Sequence, residues 1–195
     1  MFKRTKGYFL LTMLVLTGLA GRIHSNILTT KERHILVTEL KSSTNDFLKN
    51  VEGLSLKQIN FKARKKDLSI KDYINKIVST QNSLWAVTQL SLKQQTLTAQ
   101  KTYSDETLLN VTEQKQTFTN KLKFQSIKEA LKFYKNEKGE MLKYVHTSTE
   151  NIRAYGAHTN IGDFDCYQLM MLTTIYCKFY TQQIEQIKAD PRFPK

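Results

Sequence analysis

Four stretches of the chain repeat apolar residues every three or four positions, the spacing that lines one face of an α-helix. The first covers residues 31–51, with Leu36, Leu40, Thr44, Phe47 and Val51 on its stripe and Gly53 just beyond as a stop. The second starts at Ser69, a side chain suited to capping a helix N-terminus. It carries Ile70, Tyr73, Ile74, Ile77, Leu84, Trp85 and Thr88 on toward Leu92. A polar connection rich in Thr, Gln and Lys then covers residues 94–125, with one weaker helical piece, SDETLLNVTEQKQTF. The third stretch begins near Ser126 and carries Ile127, Leu131, Tyr134, Met141, Val145 and Ile152. Gly139 lies inside it, at a cost of about 1 kcal/mol relative to Ala. The fourth opens around Asp163 and runs toward the C-terminal prolines, with Phe164, Tyr167, Met171, Ile175, Phe179 and Ile187 on a broad apolar face.

Four apolar-faced helices have one common solution, in which the stripes bury one another. The pattern therefore predicts an all-α four-helix bundle, with a long crossover between the second and third long helices. The scarcity of turn formers agrees. There are only two prolines, Pro191 and Pro194, and both fall in the last five residues, where they interrupt no helix. A length of 195 residues fits one domain.

The first 25 residues have a different character. A basic start (Lys3, Arg4, Lys6) precedes an uncharged apolar run over residues 8–20, and small residues follow. This is the three-part pattern of a secretory signal, and the run is shorter than the roughly 20 residues of a spanning helix. The reading is a signal peptide over residues 1–25, a bundle domain over residues 26–195, export to the periplasm, and no permanent membrane span. Setting aside Lys3, Arg4, Lys6 and Arg22 takes the net charge from +13 to +9. Part of that charge sits in KARKK, residues 62–66, which reads as a solvated loop between helices. No nucleic-acid motif accompanies it, so no nucleic-acid partner is expected. Cys166 and Cys177 lie on one helix, roughly 16 Å apart along its axis, too far to form a disulfide with each other.

Three segments resemble the DinB-like superfamily. VEGLSLKQINFKARKKDLSIKDYINKI is similar to its junction between the first two helices, and FQSIKEALKFYKNEKGEMLKYV to its third helix. HTNIGDFDCYQLMMLTTIYCKFYTQQIEQIKADPRFPK resembles its closing loop, last helix and tail. The resemblance implies a four-helix bundle with a crossover, often dimeric. Many members hold zinc or nickel on three histidines, one on the second helix and a His-x-x-x-His pair on the fourth. Some are thiol-dependent transferases. Carried over position by position, the second-helix ligand falls on Lys76 and the pair on Tyr176 and Tyr180.

None of the three is a histidine, so no metal and no other cofactor is expected at that place. Phenols and ammonium groups both need to lose a proton near pH 10 before they bind a cation well. One arrangement the positions allow is an ammonium standing in for the metal, with Lys76 donating to both phenol oxygens. Tyr73 and Thr80 are the expected neighbours of this pocket. A separate group, His158 with Asp163 and Asp165, could in principle hold a metal. The plainer reading is that one of the two acids caps the fourth helix while His158 bonds within its loop. Two functions remain open on these grounds, beside a weaker third, recognition of an anionic surface polymer through the basic loop at residues 62–66. One is a non-catalytic binding or scaffolding module for an unidentified small molecule or protein, with a homodimer among its candidate states. The other is a transferase-type enzyme with a pocket rebuilt around Lys76, Tyr176 and Tyr180.

Overall fold

Among the described residues, each helix starts at a Ser, Thr or Asp whose side chain accepts a backbone N–H of the first turn. The structure is a computed structural model that describes residues 28–98, 102–108 and 122–195. The segment expected to be a signal peptide lies outside the described residues, as does most of the weak helical piece in the crossover. Helix α1 (Thr30–Val51) is capped by Thr29, the short helix α2 (Leu56–Ile59) by Ser55, and α3 (Ile70–Gln94) by Ser69. Ser126 caps α4 (Ile127–Thr147), and Asp165 caps α5 (Cys166–Lys188). In all but α4, the third helical residue reaches back to the cap backbone and closes a reciprocal box. The ends are equally local. Gly53 takes a φ of +80° just past α1, and Gln95 closes α3 in the left-handed region.

Two boundaries differ from the sequence reading. Helix α4 stops at Thr147, and Ile152 reaches the core from the turn that follows. Helix α5 begins at Cys166, because residues before it form an antiparallel hairpin of β1 (Gly156–Thr159) and β2 (Gly162–Asp165). The protein is thus mostly helical, with four long helices packed together and one small hairpin. Two glycines make the hairpin possible. Gly162 has a φ of +134°, and a Cβ there would meet Thr102 at 2.6–2.9 Å. A Cβ on Gly156 would fall 2.1 Å from the carbonyl oxygen of Phe164. The crossover is stitched to this hairpin through Thr98 N–H to Ala154 O, Gly156 N–H to Thr96 O, and Thr102 N–H to Asp163 O.

Helix α5 is the centre of the bundle: 14 of its 23 residues are buried, which needs neighbours on more than one face. It packs against α3 and α1, and α4 closes against both of those. The apolar core falls into two clusters. One gathers Phe47, Ile74, Ile77 and Tyr176, the other Leu36, Leu40, Trp85, Met141 and Met170. On α4 the boundary between them lies between Tyr134 and Met141, where Lys138 sits. Among the described residues no helix is long and apolar enough to cross a membrane.

Candidate functional site

Tyr73, Lys76 and Thr80 follow one another on α3 at spacings of three and four, so they share a face. That face meets Tyr176 and Tyr180, one turn apart on α5, and the structure brings all five side chains together. The Tyr176 and Tyr180 rings are 6.1 Å apart and nearly parallel, at 27°. Tyr73 packs on Tyr180 at 6.1 Å, and Phe179 approaches the same ring edge-on at 5.4 Å. Thr80 is a hydrogen-bond partner of the Tyr180 hydroxyl. Tyr176 is 2% and Tyr180 7% exposed, whereas Lys76 is half-buried at the margin, off the stripe of Ile70, Ile74 and Ile77. Its ammonium stands 5.7 Å from the centroid of the Tyr180 ring. This is an approach to the ring face.

The three phenols are all pushed toward the protonated form. Burial, with the Tyr180 and Tyr103 phenols adding to it, raises Tyr176 to about 12. Burial also raises Tyr180, against the opposing bond from Thr80. Tyr73 rises through burial and the nearby carboxylates of Asp67 and Asp72. Neutral phenols beside an ammonium do not fit a divalent cation, which takes deprotonated or neutral-nitrogen donors. The donor set does not suit the metal that the resemblance would place here.

The second candidate group does not converge. His158 lies opposite Asp163 in the hairpin register and touches it at 2.9 Å, with its side chain 80% exposed. Asp165 is engaged elsewhere, capping α5 and accepting from Arg153 at 3.0 Å. His158, Asp163 and Asp165 therefore form no single site. Among the described residues no cluster of three His, Cys, Asp or Glu side chains could hold a metal. The KARKK loop is solvated between α2 and α3, where Arg64 pairs with Asp67 and Lys62 with Asp72 at 3.3 Å. Cys166 and Cys177 are both buried free thiols.

Two charged features escape a reading of the chain alone. Arg153 donates to Glu32 and Asp105 at 2.7 Å and to Asp165, and lies 3.7 Å from the Tyr167 ring centroid. It ties α1, the crossover and the start of α5 into one knot. Its partners are remote in sequence, so no local spacing announces them. The other is Lys138, which is only 2% exposed. Its ammonium lies 3.4 Å from the Thr173 hydroxyl and 5.4 Å from the centroid of the Tyr134 ring. The adjacent Glu137 is also buried, held by Asn82 at 2.6 Å and by Gln81 at 3.4 Å, and its burial raises its pKa. A signal for Lys138 does exist: 134, 138, 141 and 145 continue one helical stripe, so a lysine stands in core register.

No protein-family model matches the chain, and no curated protein matches it in sequence. Among solved structures it is similar to YfiT from Bacillus subtilis, described as a probable metal-dependent hydrolase with an unusual four-helix bundle topology. The superposition has a TM-score of 0.60 and 12% sequence identity, and covers 83% of this chain and 88% of YfiT. At that identity the likeness is one of fold. The chain has the four-helix bundle fold of YfiT, the fold implied by its resemblance to the DinB-like superfamily.

Proposed function

We propose that this protein is an exported, periplasmic bundle of the DinB/YfiT type that works without a metal, as a binding or scaffolding module rather than a catalyst. One observation carries the reading. The positions that the resemblance aligns with metal ligands hold two stacked, protonated tyrosines and a lysine set over one of the rings. The hydrolase chemistry suggested for YfiT depends on a metal, and this donor set offers none of the usual ligands. An enzyme with a rebuilt pocket finds less support, because Tyr73, Phe179 and the two tyrosines pack ring against ring where its substrate would need space.

Metal analysis tests the proposal. The purified chain is exposed to zinc and nickel, freed of loose ions by gel filtration, and compared with a Lys76→His/Tyr176→His/Tyr180→His variant. The expected result is under about 0.1 metal per chain for the natural sequence and close to one for the variant, whose three imidazoles restore a suitable donor set. Stoichiometric metal in the natural protein, lost on Tyr176→Phe, would overturn the reading.

A further inference from the structure

A groove of about 580 Å³ runs between the end of α1, the short helix α2 and the first turns of α4. Its floor is apolar, with Val51, Leu54, Ile59, Ile127 and Leu131. Val51 and Ile59 belong to the buried core, and the half-buried Leu54, Ile127 and Leu131 pack against it, so the floor is rigidly backed. The rim is basic. Lys128, Lys132 and Lys135 recur at spacings of four and three on α4, which puts all three ammonium groups along the same edge. Glu52 is the carboxylate among the lining residues, and Lys135 already holds it at 2.7 Å. Among the described residues Lys128 and Lys132 have no carboxylate partner. Three lysines against one glutamate leave the mouth positive, in a chain whose net charge is itself +13.

An apolar trough with a row of cations along one edge is complementary to a molecule with a hydrocarbon body and an anionic head. A small polyanion would find no use for the floor, and a neutral apolar molecule none for the lysines. We propose that this groove binds a free single-chain fatty acid, its alkyl chain lying on Leu54, Ile127 and Leu131 and its carboxylate between Lys128 and Lys132. The proposal gives the binding-module reading a ligand class at a second place. It rests on the fold and not on the metal-free centre, so metal found at Tyr176 would leave it standing.

The test is titration of the full chain with saturated fatty acids of increasing length, below their aggregation concentrations, by calorimetry. Lauryl alcohol serves as the uncharged control for laurate. Affinity is expected to rise roughly fourfold per added methylene until the groove is filled. The alcohol is expected to bind at least about tenfold more weakly than the acid. A Lys128→Glu/Lys132→Glu variant, altered only at exposed positions, should lose a similar factor while its thermal unfolding stays in place. Equal binding of acid and alcohol, or unchanged affinity in the variant, would overturn the proposal. So would capture of anionic vesicles without binding of the monomeric acid. A charge-reversal variant that changes oligomeric state in sedimentation while the acid fails to bind would assign the groove to a second copy of this chain.

Discussion

Two lysines in this protein stand over tyrosine rings at nearly the same distance, yet their surroundings are opposite. Lys76 lies 5.7 Å from the centroid of Tyr180 at the half-buried margin between α3 and α5. Lys138 lies 5.4 Å from the centroid of Tyr134 in the middle of the bundle, sealed from water. The ring contact is common to both, so it does not set their energetics. Water does. An ammonium keeps most of its hydration at an edge and gains a little from the ring face. Inside, the same face and one hydroxyl, that of Thr173, must replace the hydration shell. Burial accordingly lowers Lys138 to about 8, against the opposing influence of Cys177 and Glu137.

The largest effect that would break this comparison is expected from Lys138→Met, which keeps the length of the side chain and removes the charge. In the unfolded chain the amine takes up a proton near 10.5, and in the folded chain only near 8. The folded state is therefore penalised in full below pH 8, and the penalty disappears as pH rises to 10.5. That interval corresponds to about 3 kcal/mol. Urea unfolding at pH 7 should show the methionine variant more stable by about that amount. The gap between the two proteins should close as pH rises toward 10.5. A variant less stable than the natural protein at pH 7 would mean that Lys138 has partners that compensate for its burial.

The contrast also shows which features were legible in the sequence. The starts at Ser69 and Ser126 were, because each side chain acts within one turn of itself. The bundle and its crossover were as well, since apolar stripes of three and four spacing leave few other packings. The meeting of Lys76, Tyr73, Tyr176 and Tyr180 followed once a resemblance aligned them. The hairpin was not legible. Its strands have four residues each, too few for an alternating pattern, and they are held by glycines 156 and 162 and by bonds to Thr96, Thr98 and Thr102 across the crossover. Lys138 escaped the reading, because a lysine in core register looks like the edge of a face until the neighbouring helix is placed.

A smaller effect separates the ring from its hydroxyl. The Tyr134 hydroxyl lies 3.3 Å from the Cys177 sulfur and 3.4 Å from the Thr44 hydroxyl, while its ring faces Lys138 and Phe47. Tyr134→Phe keeps the ring and deletes these contacts. It should cost about 1 kcal/mol in urea unfolding, the usual loss for one buried hydrogen-bonding group. If desolvation governs Lys138, the step in stability between pH 8 and 10.5 should survive the substitution. Loss of that step would show that the hydroxyl, through Cys177, helps to hold the amine.

The smallest effect is expected at the other lysine. Lys76→Met gives up one cation–π contact at a margin where water already solvates the ammonium, so unfolding should show a loss of about 0.5 kcal/mol. Lys76→Arg should recover it, because a guanidinium lies as well over the Tyr180 ring. The sign matters more than the size: the same Lys→Met change should weaken the protein at position 76 and strengthen it at position 138. A gain at both positions would mean that the ammonium at 76 is desolvated too, and that the site between α3 and α5 is as closed as the bundle centre. A gain at neither would mean that Thr173 and the Tyr134 ring do replace water inside the core. With the predicted opposite signs, solvent access rather than the ring decides what a buried lysine costs this fold.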